Sequence, residues 1–270
     1  MVIKTIQDYE KLCGEKQYVF RGQANKKWSL LPRAYRCDSN VNCPAIEKTS
    51  IDRFIKHLQE NGYYGFSSEL NQFDFLTRRA EIFPTDETLP YWALAQHYAF
   101  DSMFTWLKTS LLDVTHNLDI AAYFAVEDIK EEVSDGEIFI FDQSTIIEPY
   151  KYYEPKGGSR LDARLVVQDG AFIYRVQQCE HMDENSPYKN KEPFDDIVKD
   201  KITITSELKP QLKEYLQKKL IKLFMYPRLI LGRANPSLAT AGFHTHEERK
   251  ELNAPAVNRA EKLGDRHNGY

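Results

Sequence analysis

The sequence predicts an α+β fold, a single domain with a mixed, partly antiparallel central sheet flanked by helices. Three observations predict it. Short apolar runs at 111–115, 137–141 and 201–205 have the composition of strands. Amphipathic helical patterns occupy 44–61 and 207–224. The turn dipeptides Asp135-Gly136 and Asp169-Gly170 stand at strand boundaries.

Taken in order, residues 5–16 read as a short helix, with Ile6, Tyr9 and Leu12 at helical spacing and Thr5 as its cap. A strand follows at 17–22, ending on Phe20-Arg21-Gly22, which pushes a lone arginine into an expected turn. Residues 28–31 before Pro32 suggest a second extended piece. In the 44–61 helix, Pro44 stands near the start, Ile51, Phe54, Ile55 and Leu58 share a face, and Asn61-Gly62 closes it. Residues 89–99 are apolar, aromatic and helical in character. Residues 111–115 read as a buried strand. Asn117 then caps a helix in which Leu118, Ala121, Ala122, Ala125 and Val126 share a face, and Ile120 and Phe124 make it apolar nearly all round. After the 137–141 strand, the tyrosine-rich stretch 148–160 reads as a loop. Strands at 164–168 and 171–176 flank Asp169-Gly170 as a hairpin. Residues 180–200 read as a polar surface loop, 201–205 as a late strand and 207–224 as a helix.

The 270 residues suffice for one large domain, and 42% hydrophobic content describes a protein with a sizeable core. No run of about eighteen apolar residues predicts a membrane span. The first residues lack the apolar stretch of a signal peptide, and four scattered cysteines do not make a disulfide scaffold. A cytoplasmic, reduced protein is expected. A net charge of -4 argues against general nucleic-acid binding. Residues 1–36 nevertheless carry eight basic groups against three acidic ones, a balance that suits a phosphate-bearing small molecule as well as it suits RNA.

The sequence holds no phosphate loop, no Gly-x-Ser-x-Gly and no Cys-x-x-Cys, and Cys37, Cys43, His244 and His246 do not form a zinc set. Three patches stand out instead: Phe20-Arg21-Gly22-Gln23 with Trp28 and Pro32-Arg33; Leu94-Ala95-Gln96-His97-Tyr98; and Leu111-Leu112-Asp113-Val114-Thr115-His116-Asn117, followed by Ala121 to Ala125. An arginine followed by glycine, where the backbone can open, suits an anion grip. It equally suits a structural salt bridge from Arg21 to Asp113 or Glu47.

Together the patches resemble the FRG domain, a family named for its Phe/Tyr-Arg-Gly motif. Glu47 before Phe54, and Gln168-Asp169-Gly170-Ala171-Phe172 late in the chain, extend the resemblance over about residues 5–232. It implies an FRG-like domain over 1–234, with 235–270 as a charged tail, docked as a helix or disordered. The link at 99–110 is longer than is usual in the family, and Val114 stands where the family has tryptophan. The resemblance implies an effector in a bacterial defence or toxin setting.

The order of parts further resembles ADP-ribosyltransferase folds. That resemblance implies a nucleotide ligand, with NAD as substrate for ADP-ribosyl transfer or cleavage. It implies Arg21, Gly22, Gln23 and Thr115 on the phosphates or ribose, Tyr123 or Phe124 beside the nicotinamide, and His97, Asp113, Gln168 and Glu47 as the catalytic set. Gln168 stands where a late-strand glutamate is expected, and glutamine is no general base; Glu137, Glu47 or Asp113 would have to supply the carboxylate. Each residue has a second reading: Asp113 as a cap or internal partner, His97 as a hydrogen-bonded core residue, Thr115 as a cap, Tyr123 and Phe124 as core. Tyr150, Tyr152 and Tyr153 fit a stacking lid or a packed surface loop. The other function class is a non-catalytic sensor or protein-interaction module with a protein partner.

Overall fold

The computed structural model describes residues 1–12, 17–36, 44–60, 89–98, 108–155, 168–176 and 192–220. Its strands are β1 (Val2–Ile3), β2 (Tyr18–Gln23), β3 (Leu112–Thr115), β4 (Gly136–Asp142), β5 (Tyr150–Tyr153), β6 (Gly170–Arg175) and β7 (Asp200–Ile204). They form one seven-stranded sheet in the order β1-β7-β4-β2-β3-β6-β5. β1 runs parallel to β7, and the other neighbours are antiparallel. The α-helices are α1 (Ile6–Glu10), α2 (Pro44–Glu60), α3 (Leu89–Tyr98), α4 (Leu118–Val126) and α5 (Lys209–Leu220). The architecture is therefore α+β around a mixed sheet.

Local chemistry accounts for several of these elements. Thr5 Oγ1 accepts the Asp8 N–H and Asp8 Oδ2 accepts the Thr5 N–H, a capping box that starts α1. Asn117 Oδ1 accepts the N–H groups of Asp119 and Ile120 at 2.9 and 3.3 Å and starts α4. β2 alternates its side chains between two cores. On one side Phe20 joins Ile138, Ile202 and Ile204 beneath α4 and α5. On the other, Val19 joins Leu112, Val114, Phe139, Phe141 and Ile173, covered by Leu30, Ala34, Tyr35 and Phe194.

α4 lies directly on bare strand backbone. A Cβ added to Gly22 would fall 1.8 Å from the carbonyl oxygen of Ala121, and one at Gly136 would fall 2.3 Å from that of Ala125. Helix and sheet come this close because both strands offer glycine where the helix offers alanine. Lys209, 1% exposed at the start of α5, ties two loops together by donating from Nζ to the carbonyls of Ala24 and Glu131. Burial pulls its ammonium below the usual lysine range.

Several expectations need correction. Residues 28–31 join no strand of the sheet: an Asx turn at Asn25 leads into them, with the Trp28 N–H on the Asn25 carbonyl and the Lys27 N–H on Asn25 Oδ1, and the Leu31 N–H bonds the Ser29 carbonyl. The tyrosine-rich stretch contains the edge strand β5. The polar segment before β7 sends Phe194, fully buried, into the core. α1 ends at Glu10, short of the expected helix. Residues 164–167 of the expected hairpin and the tail from 235 lie outside the described residues. No described helix is long and apolar enough to cross a membrane.

Candidate functional site

β2 pairs with β4 along its whole length, from Tyr18 with Asp142 to Gln23 with Glu137. It meets β3 at one register pair, Phe20 with Thr115. The rest of the β2–β3 boundary is a seam without register pairs, bridged by Arg21, which donates from Nη1 to the Asp113 main-chain oxygen at 2.7 Å, with Asp113 Oδ2 at 3.7 Å. Arg21 thus sits within a strand and not in a turn. The glycine after it serves the approach of α4, while the strand continues.

The second and third patches converge on the same seam. Gln96, on α3 and 4% exposed, donates from Nε2 to Asp113 Oδ2 at 3.0 Å. Its Oε1 accepts the Thr109 hydroxyl. Thr109, Gln96, Asp113 and Arg21 form one chain of hydrogen bonds and charge. Glu47, on α2 and 3% exposed, accepts the Ser110 N–H at 2.5 Å just before β3. Burial pushes its carboxyl up to about 8, against the pull of its Ser110 bonds. His97 belongs to α3, and its side chain lies outside the described residues.

The remaining predicted residues have internal roles. The Thr115 hydroxyl donates to the Gln168 carbonyl at 2.6 Å and accepts the Asn117 N–H at 3.0 Å, which locks the β3–α4 turn. Gln168 leads into Asp169, whose φ of 47° turns the chain into β6. Tyr123 is core, 3% exposed, and burial raises its hydroxyl. Phe124 meets it edge-on, with ring centroids 6.5 Å apart. Gly22 packs beneath α4. Gln23 differs from these. It is 4% exposed, and neither its Nε2 nor its Oε1 has a hydrogen-bond partner. Asp113 Oδ1 and Gln168 Nε2 are likewise buried without partners.

The sequence reading missed a polar cluster beside Thr115. His116 Nε2 lies 2.9 Å from the Tyr152 hydroxyl and 3.7 Å from Glu154 Oε2, and Nδ1 lies 3.3 Å from Gln143 Nε2. Tyr152 is held above the usual tyrosine range by burial, then by Glu154. Only the recognition that 150–153 is a strand could have brought these residues together. A second missed group is Arg175, which donates to the Tyr150 hydroxyl and lies over the Tyr150 ring at 4.9 Å and the Phe194 ring at 5.5 Å. Among the described residues, no group of three or more His, Cys, Asp or Glu could hold a metal ion.

No curated protein and no solved structure matches this chain. Residues 16–134 do match a family, and they span β2, α2, α3, the seam residues Arg21, Gln96 and Asp113, and α4. That family is the FRG domain, so the chain carries an FRG domain over residues 16–134.

Proposed function

We propose that this FRG domain is a recognition module that holds a small nucleotide-type ligand, NAD being the first to test, at the seam between β2 and β3. The carrying observation is that buried polar atoms lack partners on both strands, the two amide atoms of Gln23 on β2 and Oδ1 of Asp113 on β3. Each such group costs about 1–3 kcal/mol when buried without a partner, and a ligand that supplies the partner recovers it. The anchors an ADP-ribosyltransferase-like plan would give to NAD, Arg21 and Thr115, are engaged with Asp113 and Gln168. That engagement supports recognition over group transfer. The FRG resemblance suggests a bacterial defence or toxin setting, in which such a module would signal occupancy to a protein partner.

A second reading, ADP-ribosyl transfer or NAD cleavage, is favoured by one observation. Asp113 keeps a partly exposed carboxylate beside Arg21 and Gln96, although Gln168 supplies none. In this reading Arg21 would face the phosphates and Asp113 would stabilise an oxocarbenium ion.

Isothermal titration of NAD into the wild type and Arg21→Ala, with chromatography of the mixture for free nicotinamide, decides between them. Heat from the wild type with NAD left intact supports the recognition module. Release of nicotinamide that Arg21→Ala abolishes supports the enzyme. No heat from the wild type removes both readings and leaves a protein-interaction module.

A further inference from the structure

Gln23 closes β2 directly opposite Glu137 on β4. Directly paired residues project from the same face with Cβ atoms about 5 Å apart. By strand alternation that face is the one carrying Val19 and Arg21. Gln23 is almost wholly buried, yet both of its amide atoms lack a hydrogen-bond partner. Glu137 is partly buried beside it. A buried carboxamide presents one donor and one acceptor in a single plane. Its complement is a planar edge with an acceptor next to a donor. Adenine offers such an edge through N7 and its amino group. A primary carboxamide, such as that of nicotinamide, offers it through C=O and NH2.

We propose that Gln23 reads the bound ligand by pairing with an adenine edge or a primary carboxamide, with Glu137 accepting a further N–H beside it. The proposal rests on the nucleotide reading above and deepens it by naming the group recognised. Hypoxanthine on the N7 edge, the counterpart of adenine's, and nicotinate serve as controls, since each presents two acceptors there where the complement needs one of each. The Gln23 acceptor would then face another acceptor, and Glu137 would lose its donor.

The test is titration of the full chain with AMP against IMP, and with nicotinamide against nicotinate. The wild type is expected to prefer AMP over IMP, or nicotinamide over nicotinate, by about tenfold or more, and the arm that shows it identifies the source of the edge. In Gln23→Leu the preference is expected to shrink to within about twofold. The thermal melt of that variant should be unchanged or higher, because the unsatisfied amide is gone. Should Gln23→Leu fail to fold, Gln23→Glu, of equal size and with two acceptors, is expected to lose the preference as well. Equal affinity within both ligand pairs overturns the proposal, as does a preference that survives substitution. NAD binding without either preference overturns it while leaving the reading above intact; no NAD binding removes both.

Discussion

Glu47→Gln tests how the buried acid of α2 is held. Glu47 is 3% exposed, and burial lifts its carboxyl from 4.5 to about 8. A carboxyl raised on folding favours the native state while it is protonated. Its contribution is complete below pH 4.5 and is lost as pH rises through about 8. A tenfold change in proton affinity is worth about 1.4 kcal/mol, so the interval from 4.5 to about 8 sets a ceiling of about 5 kcal/mol. Glutamine keeps a carbonyl for the Ser110 N–H and has no proton to lose. The assay is urea denaturation of both proteins from about pH 5 to about pH 9, read as the difference between them so that other titrating groups cancel. The variant should gain on the wild type steadily across this range, by several kcal/mol in all, with the gain levelling off above about pH 8. Parallel profiles would refute the reasoning, for they would mean that Glu47 ionises in the folded protein as it does in the unfolded chain.

Three further outcomes follow from packing and capping. Gly22→Ala places a Cβ 1.8 Å from the Ala121 carbonyl oxygen, which α4 cannot yield without leaving the sheet; a loss of about 3 kcal/mol or more is expected by chemical denaturation, and a change below about 1 kcal/mol would contradict the close approach. Asn117→Ala removes the acceptor for the Asp119 and Ile120 N–H groups and should cost about 1 kcal/mol, while Asn117→Asp should be nearly neutral; equal losses in both would deny the cap. Lys209→Met strands the carbonyls of Ala24 and Glu131 and should lower stability by about 1–3 kcal/mol at neutral pH; an unchanged melting temperature would show that the buried ammonium gains nothing from them.

What is legible in the sequence is short-range. The Thr5 and Asn117 caps, the β3–α4 unit and the strand after Asp135-Gly136 are each written within a few residues, where side chain and backbone satisfy one another. The departures come from long-range partners. β5 reads as Tyr-Lys-Tyr-Tyr, with no alternation to mark it, and becomes a strand because β6 pairs with it. Arg21 reads as entering a turn because glycine follows it, whereas β4 carries the strand through Gly22 to Gln23. At the site, the three patches are visible and three of their members, Arg21, Gln96 and Asp113, do meet. The isolation of the Gln23 amide is not visible, since an absent partner is a property of everything packed around a residue. The burial of Glu47 against Ser110 is hidden for the same reason.

The seating of α4 on Gly22 and Gly136 bears on how the Phe20-Arg21-Gly22 run should be used. In this chain the glycine of the run is demanded by a helix, so the run records a manner of docking. The glycine of the run marks an architecture, and the chemistry proposed above falls to its neighbours, Arg21 within the run and Gln23 just after it.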